Sequence, residues 1–286
     1  MSSRRVERID SLHDPRVASY RNVKDARLRG DAGLFLAEGR LGVQRLIAGK
    51  RFRAHSVFVT DTVLRAMGEV FDGLGVDTPV YVTDQVLMNQ VVGFAIHRGC
   101  LAAAEREPVP EFEALLRRNS AAPRLFVILD EVSNPENIGS VFRNALAFGA
   151  EGVLLSPGCA DPLYRKAIRV SMGASMVVPY ALLPDWARAA DALHADGFTI
   201  AALSTAADAR DIREFSAAGG NDRDLALLLG SEGEGVRAFV ADSADLRLRI
   251  PMAAGIDSLN VATAAGIALH QCARLPQRED NGGGDP

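Results

Sequence analysis

The feature that most constrains this chain is a succession of short apolar runs in its second half. Leu125-Phe-Val-Ile-Leu129, Gly152-Val-Leu-Leu-Ser156, Met176-Val-Val-Pro-Tyr180, Phe198-Thr-Ile-Ala-Ala-Leu203, Asp224-Leu-Ala-Leu-Leu-Leu229 and Leu246-Arg-Leu-Arg-Ile250 are each strand-length, with helical stretches between them. Runs apolar on both faces and separated by helices build a mostly parallel sheet covered by helices. From Pro123 onward the fold class is therefore α/β.

The first 107 residues read as a smaller α/β unit. Leu34–Glu38, Ser56–Thr60 and Val80–Thr83 are strand-like, and Gly42–Ala48 carries Val43, Leu46 and Ile47 at helical spacing. Glu107-Pro-Val-Pro110 is stiff and poor in backbone donors, and a polar helical stretch follows it to Ser120. The expected organisation is a domain over 1–107, a linker over 108–122, a second domain over 123–275 and a disordered tail over 276–286. The 286 residues suit two domains.

Composition excludes several classes. Hydrophobic residues at 48% and charged residues at 24% are those of a soluble globular protein, not of a disordered, collagenous or coiled-coil chain. No apolar run approaches the ~20 residues that cross a bilayer. Met1–Ile9 lacks the apolar core of a secretory signal. Cys100, Cys159 and Cys272 are scattered, which argues against a zinc ribbon or a disulfide scaffold. The expectation is a reduced, cytoplasmic protein with no metal site and no membrane partner. The net charge of -4 is unevenly spread: residues 1–60 hold thirteen Lys/Arg against six Asp/Glu, and residues 122–275 hold thirteen against eighteen. A basic arm ahead of an acidic body points either to an anionic partner or to a solvated arginine-rich surface.

Ligands of open α/β sheets bind beyond the carboxyl ends of the strands. Three polar loops sit there. In the first, Ser133 or Asn134 can cap a helix, Pro135 suits its first turn, Glu136 complements its positive end and Gly149 can end it. Asn137 and Arg143 lie six residues apart, ~240° around an ideal helix, and converge only if Asn137 stays at the helix mouth. Gly139, one turn before Arg143, leaves room for a ligand. The second loop, Leu229-Gly-Ser-Glu-Gly-Glu-Gly235, runs into a dinucleotide-like Gly233-x-Gly235-x-x-Ala238. It follows a late strand of the domain and puts Glu232 and Glu234 where a pyrophosphate would need positive potential. An acidic glycine loop suits a cationic centre, such as the sulfonium of S-adenosylmethionine. The third loop runs from Ile250-Pro-Met252 to Ser258-Leu-Asn260, with Ser258 as the natural cap of a following helix. That helix is rich in small residues, which suits either internal packing or a dimer face.

Together these loops resemble the SpoU (TrmH) family of RNA ribose 2'-O-methyltransferases of the SPOUT superfamily. Asn137-Ile-Gly-Ser-Val-Phe-Arg143, Leu229-Gly-Ser-Glu-Gly233, and Ile250-Pro-Met252 with Ser258-Leu-Asn260 are similar to its three motifs, in order, over residues ~123–275. The first ~107 residues resemble, more loosely, the RNA-binding domain that precedes many such catalytic domains, through Leu34-Phe-Leu-Ala-Glu-Gly39 and His97-Arg-Gly99. Asn134, Asn144 and Asp257 are mild departures from residues usual in the family.

The resemblance implies a C-terminal SPOUT-like sheet with a trefoil knot, a homodimer, and methyl transfer from S-adenosylmethionine to a ribose of RNA, rRNA rather than tRNA. It puts Arg143 at the centre, with Asn137, Ser258 and Asn260 holding Arg143 and the ribose and Glu232 orienting the site. Leu229, Gly230, Ile250, Met252 and Leu259 would hold the cofactor. Arg4, Arg5, Arg8, Arg16, Arg21, Lys24, Arg27 and Arg29 would contact RNA phosphates, and His97 and Arg98 a base or phosphate. A guanidinium is a poor base, so either an RNA phosphate takes the proton or Arg143 stabilises the forming alkoxide. The alternatives are a tRNA methyltransferase, a non-catalytic RNA-binding protein of the same fold, and a nucleotide-dependent oxidoreductase built on the Gly233 turn.

Overall fold

The structure is a computed structural model, which describes residues 5–21, 33–96, 99–118 and 121–274. The expected tail over 276–286 lies outside the described residues. So do Arg4, Lys24, Arg27, Arg29, His97 and Arg98. Among the described residues no helix is long and apolar enough to cross a membrane.

Two sheets organise the chain. The first contains β1 (Val6–Arg8), β2 (Leu34–Glu38), β3 (Ala54–Thr60), β4 (Val80–Thr83) and β5 (Cys100–Glu105), in the order β1-β4-β3-β5-β2. It is mixed: β4 pairs in parallel with β1 and β3, while β5 runs antiparallel to β2 and β3. Helices α1 (Arg40–Ala48), α2 (Asp61–Ala66) and α3 (Gln85–Val92) connect its strands. Helix α4 (Phe112–Leu115) then leads to the second unit, and Phe112 and Leu116 bury in that unit's core. The polar helical stretch expected to run to Ser120 is thus one short turn, anchored by its apolar residues.

The second sheet follows the order β10-β12-β9-β11-β6-β7-β8. Its strands are β6 (Leu125–Asp130), β7 (Gly152–Leu155), β8 (Tyr180–Leu182), β9 (Thr199–Leu203), β10 (Arg210–Asp211), β11 (Leu225–Gly230) and β12 (Leu246–Arg249). Every pairing in it is parallel. The helices are α5 (Pro135–Ala147), α6 (Arg165–Val170), α7 (Trp186–Ala195), α8 (Ile212–Ala217), α9 (Ala238–Ala241) and α10 (Val261–Cys272). Strand β6 sends its connection to β7 on one side, whereas β11 connects to β12 across β9. This reversal of direction is where such sheets open a crevice.

The local structure departs from the sequence signals in three places. The apolar run at 176–180 forms a 3-10 turn over Ala174–Met176, and β8 begins only at Tyr180. Pro179 has no N–H for the ladder and offers only its carbonyl, which accepts from the Val153 amide at 3.0 Å. Strand β5 has no strand-like signature in the sequence, because Cys-Leu-Ala-Ala-Ala lacks β-branched side chains. It nonetheless lies between β3 and β2, antiparallel to both, and its small residues let α1 lie close. The start of the basic arm, for which the sequence suggests no strand, is edge strand β1.

The two sheets share apolar contacts. Val43 and Leu46 of α1 belong to the same buried cluster as Phe142, Met176 and Tyr180. Arginines fasten the contact: Arg165 pairs with Glu38 at 2.8 Å and stacks on Phe94, Arg106 pairs with Asp161 at 2.9 Å, and Arg45 donates to the Met172 carbonyl at 2.8 Å.

Candidate functional site

Asn134 starts α5. Its side chain accepts from the Glu136 amide at 2.8 Å and Pro135 occupies the first turn. That start leaves Asn137 inside the first turn, buried, and turned toward α10. Arg143 stands one and a half turns further on, exposed, with no ion-pair partner among the described residues. Its neighbour Asn144 donates to the Ala262 carbonyl at 2.8 Å, so Arg143 starts beside the first turn of α10.

Gly139 does not leave room for a ligand. A methyl group there would meet the Ala167 carbonyl oxygen at 2.5 Å, so the glycine is where α6 crosses α5. The small residues of α10 also serve packing: Ala265 and Ala268 are buried, and Gly266 abuts the Asn144 side chain.

The glycine loop after β11 is closed by its own backbone. The Ser231 and Gly235 amides and carbonyls bond each other at 3.0 and 3.1 Å. Gly233 and Gly235 adopt φ of +96° and +71°, a region open to glycine. Gly230 admits no side chain, since a Cβ would lie 1.9 Å from the Gly235 backbone.

A second device, which the sequence reading missed, ties this loop to the first. Asp130 ends β6 directly opposite Gly230 in register and is 2% exposed. It accepts from the Arg237 amide at 3.1 Å and from two nitrogens of the Arg237 guanidinium, at 3.0 and 2.5 Å. Phe239 lies against the guanidinium at 4.9 Å. The available signal was an Asp ending an otherwise apolar strand, a position that demands a partner.

The third loop ends on Asn260, not Ser258, as the cap of α10. The Asn260 Oδ1 accepts from the Ala262 and Thr263 amides at 2.9 and 3.2 Å. Its Nδ2 donates to Asn137 Oδ1 at 3.0 Å and to a Glu232 carboxylate oxygen. Asn260 alone therefore joins all three loops. Ser258 stays exposed on the loop.

The second and third loops line a cavity of about 770 Å³, beyond the carboxyl ends of β9, β11 and β12. That volume is typical of a cofactor site. All five residues expected around the cofactor, Leu229, Gly230, Ile250, Met252 and Leu259, line it, as do Glu232, Ser258 and Asn260. Arg143 and Asn137 do not line it; Asn137 reaches its rim only through Asn260. The wall combines the apolar Leu203, Leu229, Ile250 and Leu259 with the acidic Glu232, Glu234 and Asp257.

The described arginines of the arm are engaged locally. Arg5 pairs with Glu7, Arg8 with Asp61 at 2.6 Å, Arg16 with Glu7 at 2.7 Å and with Asp14, and Arg21 donates to the Asp14 carbonyl at 2.9 Å. The Arg16 guanidinium holds both Glu7 and Asp14 below the usual carboxylate range. The basic excess read from the sequence is thus partly spent within the fold.

A family model described as the SpoU rRNA Methylase family matches residues 124–270. A Mycobacterium tuberculosis protein named as an uncharacterized tRNA/rRNA methyltransferase is 41% identical over 274 residues, 94% of this chain and 92% of its own. A Staphylococcus aureus protein named for the TrmH family of tRNA/rRNA methyltransferases is 32% identical over 190 residues, 66% of this chain and 74% of its own. Among solved structures, an AdoMet-bound rRNA methyltransferase from Sinorhizobium meliloti is similar with a TM-score of 0.76 at 24% identity, covering 93% of this chain and 97% of its own. At that identity the likeness is one of fold.

Proposed function

This chain belongs to the SpoU rRNA methylase family, and we propose that it transfers a methyl group from S-adenosylmethionine to a ribose 2'-hydroxyl of a structured RNA, rRNA rather than tRNA. The observation that carries this reading is the convergence of Asn137 and Glu232 on the Asn260 amide at the rim of the cavity.

The cavity suits the cofactor chemically. Its apolar wall matches an adenosine, and its three carboxylates complement a sulfonium. The same carboxylates oppose a pyrophosphate, which disfavours the oxidoreductase reading. When bound, S-adenosylmethionine supplies an activated methyl, whose bond to sulfur breaks as its bond to the ribose oxygen forms.

The chain's own groups have to align the two reactants and accommodate the charge left on the ribose oxygen. Glu232 and Asn137 fix the Asn260 amide, and Asn260 with Ser258 holds the ribose at the rim. A guanidinium is a poor base, so the part of Arg143 is to stabilise the forming alkoxide while the proton passes to an RNA phosphate or water. The backbone of Leu229, Gly230, Ile250, Met252 and Leu259 holds the cofactor. Residues 1–107 serve RNA recognition, and the working unit is a homodimer.

The test is transfer of labelled methyl from S-adenosylmethionine to separated rRNA and tRNA, with wild type and Arg143→Ala side by side. Label at a ribose 2'-oxygen of rRNA, lost in the variant, is the expected result. Label in tRNA alone moves the substrate. Cofactor binding without transfer to either pool favours a non-catalytic binder. Sedimentation of the same preparation reads the oligomeric state.

A further inference from the structure

We propose that Arg247 recognises the carboxylate of the methionine end of S-adenosylmethionine. This rests on reading the cavity as that cofactor's site. Among the described residues that line it, Arg247 is the single cation, against Glu232, Glu234 and Asp257. S-adenosylmethionine carries two positive centres, the sulfonium and the ammonium, and one carboxylate. One arginine among several carboxylates in the lining is the matching pattern.

The fold positions Arg247 for this. On β12 the next residue, Leu248, is fully buried on one face of the sheet, so Arg247 points to the other. It pairs in register with Ala202, and β9 leaves the sheet just beyond through Ser204 and Thr205, which also line the cavity. The guanidinium now contacts Asp242 at 3.1 Å and Asp208 at 3.9 Å, with those carboxylates 72% and 74% exposed. Such solvated pairs hold an arginine weakly. A ligand carboxylate in the cavity presents two oxygens to the planar fork in a less hydrated setting, where a bidentate pair is stronger. Glu232 bonds Asn260, and the ion pairs of Arg247 go to Asp208 and Asp242, so the carboxylates of the lining can meet the cationic centres of the ligand.

The test compares two ligands by calorimetry on the full chain: S-adenosylmethionine and its decarboxylated analogue, which keeps the sulfonium and the amine. For Arg247→Ala, S-adenosylmethionine should weaken about tenfold to a hundredfold while the analogue changes by less than about twofold, as expected when one charge-assisted pair is lost. Retained analogue binding also shows that the variant is folded. Arg247→Lys should fall between, since an ammonium keeps the charge but lacks the fork. Equal loss for both ligands, or no loss for S-adenosylmethionine, overturns the assignment. If wild type binds neither ligand, the reading of the cavity itself fails, and the assignment falls with it.

Discussion

Asn260 donates to Asn137 at 3.0 Å across 123 residues of sequence, while its own side-chain oxygen caps α10. One amide therefore does two jobs. It satisfies the free amides that every helix start exposes. It also fixes the mouth of α5 to the rim of the cavity, with Glu232 as its third partner.

Those jobs separate by substitution. Asn260→Asp keeps the capping oxygen but loses the donor and sets a second carboxylate beside Glu232. We expect thermal stability to change by less than about 1 kcal/mol from the cap, since Asn and Asp cap equally well. Methyl transfer should fall at least about tenfold, the size of one lost hydrogen bond near the reacting groups. Asn260→Ala should lose both, with the cap worth about 0.5–2 kcal/mol. Thermal melts and methyl transfer on the same samples read the two effects apart.

The Asp130–Arg237 clasp gives a second prediction. Arg237→Ala leaves a buried carboxylate without its guanidinium and should cost about 1–3 kcal/mol of stability. It also frees the loop that lines the cavity, so cofactor affinity should drop while turnover at saturating cofactor is largely kept. An unchanged KM for S-adenosylmethionine would show that the clasp is structural only.

Gly230→Ala tests the loop geometry directly. The added methyl would overlap the Gly235 backbone, with atoms at 1.9 to 2.1 Å, so the turn has to open. Cofactor binding should weaken more than about tenfold, because a displaced wall loses several contacts at once. Circular dichroism should stay close to wild type, since the strain is confined to one exposed loop. Wild-type affinity in this variant would mean that the loop does not touch the ligand.

The far end of the sheet carries an acid-sensitive ion pair. Arg124 is buried and donates to Asp224 from Nε at 3.0 Å and from a terminal guanidinium nitrogen at 2.7 Å, with Asp196 and Arg118 joining. Burial works against the charged Asp224, but the hydrogen bonds and charge of Arg124 outweigh it and hold the carboxyl below its ordinary value. A carboxyl lowered in the folded state contributes stability above its unfolded pKa, near 4, and loses that contribution as pH falls through the folded value. Wild type should therefore lose stability below about pH 4. Asp224→Asn should be destabilised by about 3–5 kcal/mol at neutral pH, with a flatter acid limb. Urea titrations at pH 7 and pH 3.5 measure both.

Much of the fold was legible because it rests on local burial and turn chemistry. The runs at 125–129, 152–156 and 224–229 are apolar enough to be strands in any context, and Asn134-Pro135 starts a helix wherever it stands. Local signals failed where a neighbour decided. Met176 and Val178 look like strand residues but plug the shared core, and Pro179 cannot complete a ladder. Cys100–Glu105 looks like nothing in particular, yet it lies between β2 and β3. Gly139 reads as ligand space until Ala167 of another helix is found against it. Ser258 and Asn260 are both good caps, and only the folded chain, in which α10 begins at Val261, selects Asn260.

The sequence by itself determined the residue types at the carboxyl ends of the strands, the α/β class, and the resemblance that suggested a reaction. The knot and the dimer rest on that resemblance. Tertiary structure alone decided that β11 lies between β6 and β9, which sets Gly230 beside Asp130 and lets Arg237 close on it. It alone brought Glu232, Asn137 and Asn260 to one amide and left Arg143 outside the cavity wall. The reason is physical. Strand and helix preference is carried by each segment's own side chains, whereas strand order and the meeting of distant loops depend on the packing of every segment at once.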